Sequence, residues 1–403
     1  MTIVNGKVFT SRNAYISILL FGIVSLVGDI IYEGARGLVP DYLYFLGASA
    51  VIVGIVGGLG EFIGYGVRLI SGYLADTSRA YWLFLFIGYG LIVSIPLLGF
   101  TSTWEIAIIF VLLERLGKAI RAPSRDTVLS IVSKGVGPGK AFGIHELLDQ
   151  IGAIAGPLIV AALMFYSSNN YQQTFSFLLV PFLILIVVLT YNYRKTGPKT
   201  ILEPKTPESK IKLEKPFYIY TLAVILNTIG LIPVVLILYR ASFILQPFEV
   251  PLIYLLIQAV DAAVALLAGY AYDKFGVKIL TIAFILSLFP SVLAMVNTLD
   301  VVTLLIAAAF FGIVLGMQES IYRAAVTQFA PVSSRGTAYG IFNTGLGVGF
   351  LISGGIFGLL LQYNVNFTLT LLFIILTQII ATIVLLRTHQ AVKGKSSIST
   401  EEN

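Results

Sequence analysis

Apolar stretches of about 20 residues recur along almost the whole chain, and this feature constrains the fold more than any other. A helix needs about that length to cross the hydrocarbon core of a bilayer. Of the 403 residues, 57% are hydrophobic and only 11% are charged, whereas a soluble domain carries about 25% charged residues. Apolar surface on this scale is stable only where lipid replaces water. We therefore predict an all-α membrane protein.

The apolar stretches predict twelve transmembrane helices in two pseudo-symmetric six-helix bundles. The predicted spans are residues 14–46, 49–75, 80–101, 104–130, 139–167, 172–193, 216–245, 249–272, 277–298, 301–329, 334–362 and 366–387. The long polar segment 194–215, rich in Lys, Pro, Thr and Glu, is predicted to be a flexible cytoplasmic linker between bundles at 1–193 and 216–388. Residues 389–403 form a polar cytoplasmic tail. No signal-peptide pattern precedes the first span, so we expect that span to be retained.

Basic residues occur only in alternate connections, which predicts the orientation in the membrane because cytoplasmic loops retain Lys and Arg. The connections on the predicted cytoplasmic side carry Lys7, Arg12, Arg79, Lys134, Lys140, seven basic residues of the linker, Lys274, Lys278, Arg335, Arg387, Lys393 and Lys395. The opposite connections contain no Lys or Arg. We therefore expect both termini in the cytoplasm and the protein in the plasma membrane.

Composition also excludes several kinds of chemistry. The chain has no cysteine, so disulfides and thiolate sites are ruled out, and its two histidines, His145 and His389, are too far apart for a histidine-rich metal site. No Gly-x-x-x-x-Gly-Lys-Ser/Thr stretch for binding ATP occurs. The net charge of +6 is explained by cytoplasmic loops that face anionic headgroups and needs no nucleic acid. We expect no cofactor and no metal; the expected partners are a small-molecule substrate, protons and the bilayer, with a monomeric protein.

The two halves of the chain repeat short motifs at one offset. Residues 72–76 (GYLAD) recur 197 residues later at 269–273 (GYAYD), and residues 141–144 (AFGI) recur at the same offset as 338–341 (AYGI). Two matches at one offset, each at the same place in the order of spans, indicate a duplicated six-helix unit. Such repeats are the usual architecture of secondary transporters, whose substrate path lies between the halves.

At these motifs the sequence resembles the major facilitator superfamily. The loop between spans two and three of that family runs Gly-x-x-x-Asp-(Arg/Lys)-x-Gly-x-(Arg/Lys). The second-half copy, Gly269-Tyr-Ala-Tyr-Asp273-Lys274-Phe-Gly276-Val-Lys278, matches it closely. The resemblance covers nearly the whole chain and implies transport by alternating access, with spans one, four, seven and ten around a central cavity.

The first-half copy of the motif departs from the family pattern. It keeps Gly72 and Asp76 but has Thr77 at the basic position and lacks the later glycine. An Asp at a helix end can accept hydrogen bonds from the start of a neighbouring helix and pair with an Arg such as Arg79. The resemblance thus implies that this loop holds the cytoplasmic side closed in one transport state. The first-half copy keeps fewer of the motif residues that serve this role in the family.

Span five carries a motif that resembles the Gly-Pro signature of exporters in the superfamily. Gly152-Ala-Ile-Ala-Gly156-Pro157 supplies small residues for close helix packing and a proline that bends the span. Ordinary close packing is the alternative interpretation. Residues 114–126 and 141–149 together resemble one prokaryotic subgroup, whose members usually have a basic residue where this chain has Glu146.

Charged residues inside the predicted spans are the main candidates for function, because each costs about 2.5–3.5 kcal/mol at mid-membrane even on insertion scales. Asp29, Glu33 and Arg36 are spaced by four and three residues and therefore share one helix face. We assign to the proton-coupling and substrate path Asp29, Glu33, Arg36, Glu61, Glu114, Arg115, Asp149, Asp261, Glu319 and Arg323. A carboxylate among them is expected to bind and release a proton.

A second set lies towards the cytoplasmic ends of the spans, where long basic side chains reach the interface. We assign to the cytoplasmic gate Asp76, Arg79, Lys118, Arg121, Arg125, Asp126, His145, Glu146, Asp273 and Lys274. Static pairing is the alternative for several charges: Asp29 or Glu33 with Arg36, Glu114 with Lys118, and Glu319 with Arg323. His145 could also serve in a proton relay.

The sequence therefore predicts a proton-coupled secondary transporter that exports a small organic solute. The first alternative is proton-coupled uptake of a small, anionic solute, favoured by Lys118 and Arg121. A non-transporting membrane sensor or lipid-handling protein is a further alternative, although linker and tail are too short to hold a signalling domain. An enzyme is disfavoured because no paired metal ligands, nucleophile elbow or phosphate-binding loop occurs.

Overall fold

The chain is almost entirely helical. The computed structural model describes residues 3–4, 7–8, 11–133, 136–196, 213–276, 278–331 and 334–401, so most of the predicted linker (197–212) lies outside the described residues. The helices are α1 (Ser11–Phe45), α2 (Ala50–Ser78), α3 (Tyr81–Phe100), α4 (Trp104–Ser133), α5 (Pro138–Tyr166), α6 (Tyr171–Thr196), α7 (Lys215–Ala241), α8 (Val250–Phe275), α9 (Lys278–Leu286 and Leu288–Ala294), α10 (Val301–Phe329), α11 (Arg335–Gln362) and α12 (Phe367–Glu401). A two-residue strand β1 (Ile3–Val4) pairs antiparallel with β2 (Lys7–Val8).

Each predicted span has a helix in the same order. Within the described ranges, ten helices are long and apolar enough to cross a membrane. The two others are α4, which carries seven charged residues from Glu105 to Asp126, and α9, which is broken into two short apolar pieces. α12 continues to Glu401, so residues 389–401 of the predicted polar tail extend the last helix.

Several helices are interrupted. α3 passes through short 3₁₀ turns at Leu91–Val93 and Leu98–Phe100, and α6 breaks between Phe177 and Leu179. α10 contains a π turn at Gln318–Tyr322. Such local changes of helical pitch are common at functional positions in helices.

α7 unwinds at residues 230–233, and polar side chains of neighbouring helices satisfy the exposed backbone. The Ser291 hydroxyl of α9 accepts from the backbone N–H of Ile232 at 2.8 Å. Ser353 of α11 donates to the carbonyl of Leu231. A break of this kind is tolerated in a membrane helix because serine hydroxyls replace the lost backbone partners.

The described helices group into two compact units. Unit 1 comprises Met1–Gly47, Gly66–Thr206 and Gln246–Leu255, and unit 2 comprises Ala48–Tyr65, Pro207–Leu245 and Leu256–Asn403. The first part of α2 thus belongs to unit 2, and the first six residues of α8 belong to unit 1. The bundle boundaries at 193 and 216 remain a prediction.

Each unit has an aromatic core. In unit 1, Tyr42 packs against Tyr171 and Phe175 with ring centroids 5.2 and 5.1 Å apart. In unit 2, Tyr220 stacks on Phe342 at 5.9 Å. These rings exclude water and hold the helices that carry the polar residues described next.

Candidate functional site

The candidate site lies in unit 1 and begins where α1 and α5 touch backbone to backbone. A Cβ atom added to Gly34 would lie 2.8 Å from the carbonyl oxygen of Gly156, and one added to Gly152 would lie 2.8 Å from Cβ of Asp29. Real Cβ contacts are essentially never this short, so only glycine fits. Pro157 lies inside α5 without ending it. The predicted packing motif therefore places α5 against the acidic stretch of α1.

Glu33 lies at the centre of the site, and side chains from three helices contact its carboxylate. Oε1 accepts a hydrogen bond from Lys118 Nζ of α4 at 3.1 Å. Oε2 accepts from the hydroxyl of Tyr254, in the first part of α8, at 2.6 Å. Arg36 Nη1, one turn along α1, lies 3.7 Å from Oε2. Only 8% of the Glu33 side chain is exposed, so these contacts compensate most of its negative charge.

Glu114 forms a second buried ion pair, within α4. Its Oε1 accepts from Arg121 Nη2 at 3.2 Å, and its Oε2 lies 3.6 Å from Arg115 Nε. The side chains of Glu114 and Arg121 are 2% and 3% exposed. Arg121 also donates to the carbonyl of Gly88 on α3 at 3.3 Å. The pair therefore connects α4 to α3 and is sealed from solvent.

Aromatic rings line the cationic side chains. The ring of Tyr32 lies 4.6 Å from Lys118 Nζ and 4.8 Å from the Arg121 guanidinium carbon. The ring of Tyr89 lies 5.3 Å from the same carbon. Cation–π contacts at these distances stabilise positive charge that has lost its water.

Asp29 and Asp149 bring two carboxyl groups together across the contact between α1 and α5. Asp29 is only 2% exposed, and its carboxyl group lies within hydrogen-bonding reach of Asp149. Oδ1 of each has no hydrogen-bond donor among the described residues. Two ionised carboxylates repel at this range, and a hydrogen bond between them requires one proton. The pair is therefore a place where the protein can hold a proton.

Arg125 is the cation next to this carboxyl pair. Its Nη1 lies 4.0 Å from Asp149 Oδ1 and donates to the Ser25 hydroxyl at 3.4 Å, while its Nε donates to Asp126 at 3.0 Å. His145 is 3% exposed, lies close to Arg125 and Asp149, and its Nε2 has no hydrogen-bond partner among the described residues. An imidazole in this position can accept or pass on a proton.

The observed pairs differ in part from the pairs considered from the sequence. Glu33 does contact Arg36, as one alternative proposed. The alternative pair of Glu114 with Lys118 is wrong, because Glu114 pairs with Arg121, and Lys118 contacts Glu33 on α1 instead. Four-residue spacing places two side chains on one face, but partners on another helix compete for them. As a result, two residues assigned to the gate, Lys118 and Arg121, contact carboxylates assigned to the path.

The remaining gate residues are exposed, and all of them except Glu146 lie at helix ends. The Asp76 carboxylate accepts from the Tyr81 hydroxyl at 2.7 Å, and Arg79 has a positive φ of 56° at the turn after α2. Glu146 is exposed on α5, and Asp273 and Lys274 are exposed at the end of α8. Whether these residues act as a gate remains a prediction.

The predicted path residues of unit 2 lie on three helices, α2, α8 and α10. Asp261 is 2% exposed on α8, and Glu61 is half-buried on α2. Glu319 is exposed within the π turn of α10, and Arg323 begins the helical piece that follows. The assignment of these residues to the path stays a prediction.

A buried network of uncharged side chains joins four helices of unit 2 around Asn227. The Asn227 amide nitrogen donates to Ser287 at 2.6 Å and to Gln378 at 2.7 Å. The Tyr322 hydroxyl donates to the Asn227 oxygen at 3.0 Å. All four side chains are buried, and this closed network fixes α7 against α9, α10 and α12.

Sequence reasoning missed three residues of the site. Tyr254, Tyr89 and Ser25 contact its charged groups, yet each is a single polar residue within an apolar span. Tyrosine and serine are common in such spans, so the sequence contains no signal that separates these three. Only their positions next to Glu33, Arg121 and Arg125 reveal them.

Comparison with known proteins agrees with this architecture. The family model of the Major Facilitator Superfamily matches residues 18–295 and 217–402. The uncharacterized protein Rv2265 of Mycobacterium tuberculosis is 33% identical over 381 residues, which cover 90% of this chain and 92% of that protein. The uncharacterized MFS-type transporter MJ1317 of Methanocaldococcus jannaschii is 28% identical over 369 residues, with coverage of 89% and 90%. The crystal structure of the nucleoside transporter NupG superposes with a TM-score of 0.68 at 14% identity and covers 93% of this chain and 99% of that one.

The fold is that of a multi-pass α-helical membrane protein. The predicted fold class is thereby confirmed. The chain belongs to the major facilitator superfamily. It is a secondary transporter with a small-molecule substrate, not an enzyme.

Proposed function

We propose that the chain is a proton-coupled secondary transporter of a small organic solute, and that the carboxyl pair Asp29–Asp149 holds the coupling proton. The observation that supports this most directly is the closeness of the buried Asp29 carboxyl group to the half-buried carboxyl group of Asp149. When the pair loses its proton, its two negative charges face Arg125 and Lys118, and each of these cations also pairs with another carboxylate. A group with this imbalance binds and releases protons as its access to the two sides of the membrane alternates.

Glu33 suits a different role within the same mechanism. Its carboxylate has three positively charged or hydroxyl partners, which stabilise the ionised form. We therefore propose that Asp29 carries the proton and that Glu33 belongs to the substrate site. In this proposal His145 relays protons between the Asp149 end of the pair and the cytoplasm, and the exposed charges at helix ends form the gate.

For the direction of transport we propose export. The support is the motif at Gly152, Gly156 and Pro157, which resembles the exporter signature and packs α5 directly against the proton-holding stretch of α1. Uptake of an anionic solute is the second candidate, favoured by the cations around Glu33. We further propose that the protein acts as a monomer in the plasma membrane. We also propose that both termini lie in the cytoplasm, and the distribution of basic residues supports this orientation.

The test is transport by the full chain in proteoliposomes with an imposed pH gradient and a panel of small organic solutes. Asp29→Asn and Asp149→Asn are compared with Glu33→Gln and with Asp41→Asn as a matched control. Asp41 is also buried on α1, but it accepts a hydrogen bond from Tyr171 at 2.7 Å and lies away from the pair.

We expect the Asp29→Asn and Asp149→Asn variants to lose solute accumulation driven by the pH gradient while they retain exchange of labelled for unlabelled solute. Asp41→Asn should accumulate solute like the wild type. The sign of the gradient that drives accumulation separates export from uptake. If Asp29→Asn and Asp149→Asn both accumulated solute as steeply as wild type, the pair could not be the coupling site.

A further inference from the structure

Unit 2 contains a cavity of about 700 Å³ whose described wall carries one charged side chain, Arg240. The wall is formed where α2 and α12 begin and where α7, α9 and α11 end. The connections next to these helix ends contain no Lys or Arg, so the sequence predicts that they lie on the side of the membrane opposite the cytoplasm. A cavity of this volume is large enough for a small organic ligand.

Arg240 has no acidic partner in the described part of the chain. Its Nη1 donates to the backbone carbonyl oxygens of Ala294 and Val296, the latter at 2.9 Å. Its Nε and Nη2 donate to no atom of the described residues. A guanidinium group stays charged in a protein and binds a carboxylate or phosphate through two parallel hydrogen bonds. The cavity therefore holds a positive charge and two hydrogen-bond donors that an anion would match.

Two amide side chains of the wall also offer donors to a ligand. Gln362 Oε1 accepts from the backbone N–H of Val51 at 3.4 Å. Asn366 Oδ1 accepts from the backbone N–H of Thr368 at 2.8 Å. The amide NH₂ groups of both side chains have no acceptor among the described residues. Because their oxygens are occupied and their nitrogens are not, these side chains suit a ligand group that only accepts hydrogen bonds.

The electrostatic surroundings favour the same kind of group. No Asp or Glu is present in the described wall of the cavity. Both α2 and α12 begin at this wall, and the N-terminal end of a helix carries partial positive charge. The cavity is therefore positive at several points of its surface.

Much of the remaining wall is apolar. It includes the side chains of Phe243, Met295, Leu360 and Phe367. A ligand that fills the cavity buries an apolar body against these side chains while its charged group meets Arg240. This combination favours an amphiphilic anion over an inorganic one.

We propose that this cavity binds an amphiphilic anion, whose carboxylate or phosphate group accepts hydrogen bonds from Arg240 and from the amides of Gln362 and Asn366. A free organic anion and the headgroup of an anionic lipid share this chemistry. The proposal goes beyond the proposed transport function, because it depends neither on proton coupling nor on the direction of transport.

The test measures the rise in melting temperature of the purified full chain in dodecyl maltoside, a detergent without phosphate or carboxylate, as ligand is added. The free anions are phenyl phosphate and benzoate, with benzamide as the uncharged control. The lipid is phosphatidylglycerol in mixed micelles, with phosphatidylcholine of the same acyl chains as the control without net charge.

Two variants change the cavity in different ways. Arg240→Gln removes the positive charge. Asn366→Asp places a negative charge in the cavity but keeps the oxygen that accepts from Thr368 at the start of α12, and Asp caps a helix as well as Asn does. The matched controls are Arg387→Gln, an exposed residue of α12, and Asn170→Asp, an exposed cap whose side chain accepts from the backbone of Gln173.

At least one anion should raise the melting temperature of the wild type saturably, and its uncharged or zwitterionic control should not. Arg240→Gln and Asn366→Asp should each weaken binding about tenfold or more, the factor that a hydrogen bond to a charged group carries. Arg387→Gln and Asn170→Asp should bind like wild type. Stabilisation by phenyl phosphate or benzoate identifies a free organic anion as the ligand, and stabilisation by phosphatidylglycerol alone identifies a lipid headgroup.

Three results would overturn the proposal: no stabilisation by any of the anions, controls that bind as well as the anions, or wild-type affinity in Asn366→Asp. The last result decides the matter even if Arg240→Gln does not fold, because Asn366→Asp preserves the helix cap. Binding is measured without transport, so failure here leaves the proposed proton coupling untouched.

Discussion

The buried pair of Glu114 and Arg121 allows a quantitative prediction of stability. The two side chains are 2% and 3% exposed and their charged atoms lie 3.2 Å apart. At an effective dielectric constant of about 20, Coulomb's law gives about 5 kcal/mol of attraction at this distance. Replacement of one partner leaves the other charge buried and only partly compensated, which typically costs about 3–5 kcal/mol. Arg115, 3.6 Å from the Glu114 carboxylate, offsets part of this loss in Arg121→Gln.

We therefore expect Glu114→Gln and Arg121→Gln each to lower the free energy of unfolding by about 3–5 kcal/mol. The double variant should be destabilised by less than the sum of the two, because neither Glu114 nor Arg121 is then left charged without the other. The expected coupling energy is about 2–3 kcal/mol, near the upper end for residues in direct contact.

The measurement is reversible unfolding of the purified chain in mixed detergent micelles, with all four proteins compared under one condition. Arg387→Gln, which changes an exposed cation, should leave the free energy of unfolding within about 0.5 kcal/mol of wild type. Additive losses in the double variant would refute the reasoning, since additivity means that the two charges do not depend on each other. Single variants that are as stable as wild type would also refute the reasoning.

Three further perturbations test other parts of the structure. Gly156→Ala should destabilise the fold by about 1–3 kcal/mol, because the added Cβ would lie 2.8 Å from the backbone of α1. The control is Gly143→Ala on the same helix, where an added Cβ would have no atom within 4 Å. This control should melt no lower than wild type. Tyr254→Phe removes the 2.6 Å hydrogen bond to Glu33 and should cost about 1.5–3 kcal/mol in the same unfolding assay; no loss would mean that the bond does not form. Asn227→Ala removes one hydrogen bond from each of three buried polar side chains and should lower the melting temperature with a loss of about 1–3 kcal/mol. A neutral effect would contradict a closed network.

Much of the fold could be predicted because the membrane imposes a simple rule on the sequence. Every span predicted from apolar length has a helix at that position, and the charges within α4 explain why it is the least apolar of the long helices. The breaks inside helices were harder to foresee. The unwinding of α7 at residues 230–233 depends on Ser291 and Ser353, which lie on other helices.

The candidate site was only partly predictable. Helical spacing places Asp29, Glu33 and Arg36 on one face of α1, since backbone geometry fixes the positions of near neighbours in any α-helix. The sequence alone therefore determined the number of spans, the family motifs and which residues of one helix lie together.

Only the tertiary structure decided which residues of different helices meet. Lys118 is 85 positions from Glu33 in the chain and Tyr254 is 221 positions away, yet both donate to the same carboxylate. The partner of Asp29 on α5 likewise depends on how close the glycines allow α1 and α5 to come. These pairings follow from the rotation and crossing of packed helices, which depend on side-chain shapes across the whole interface and not on spacing within one helix.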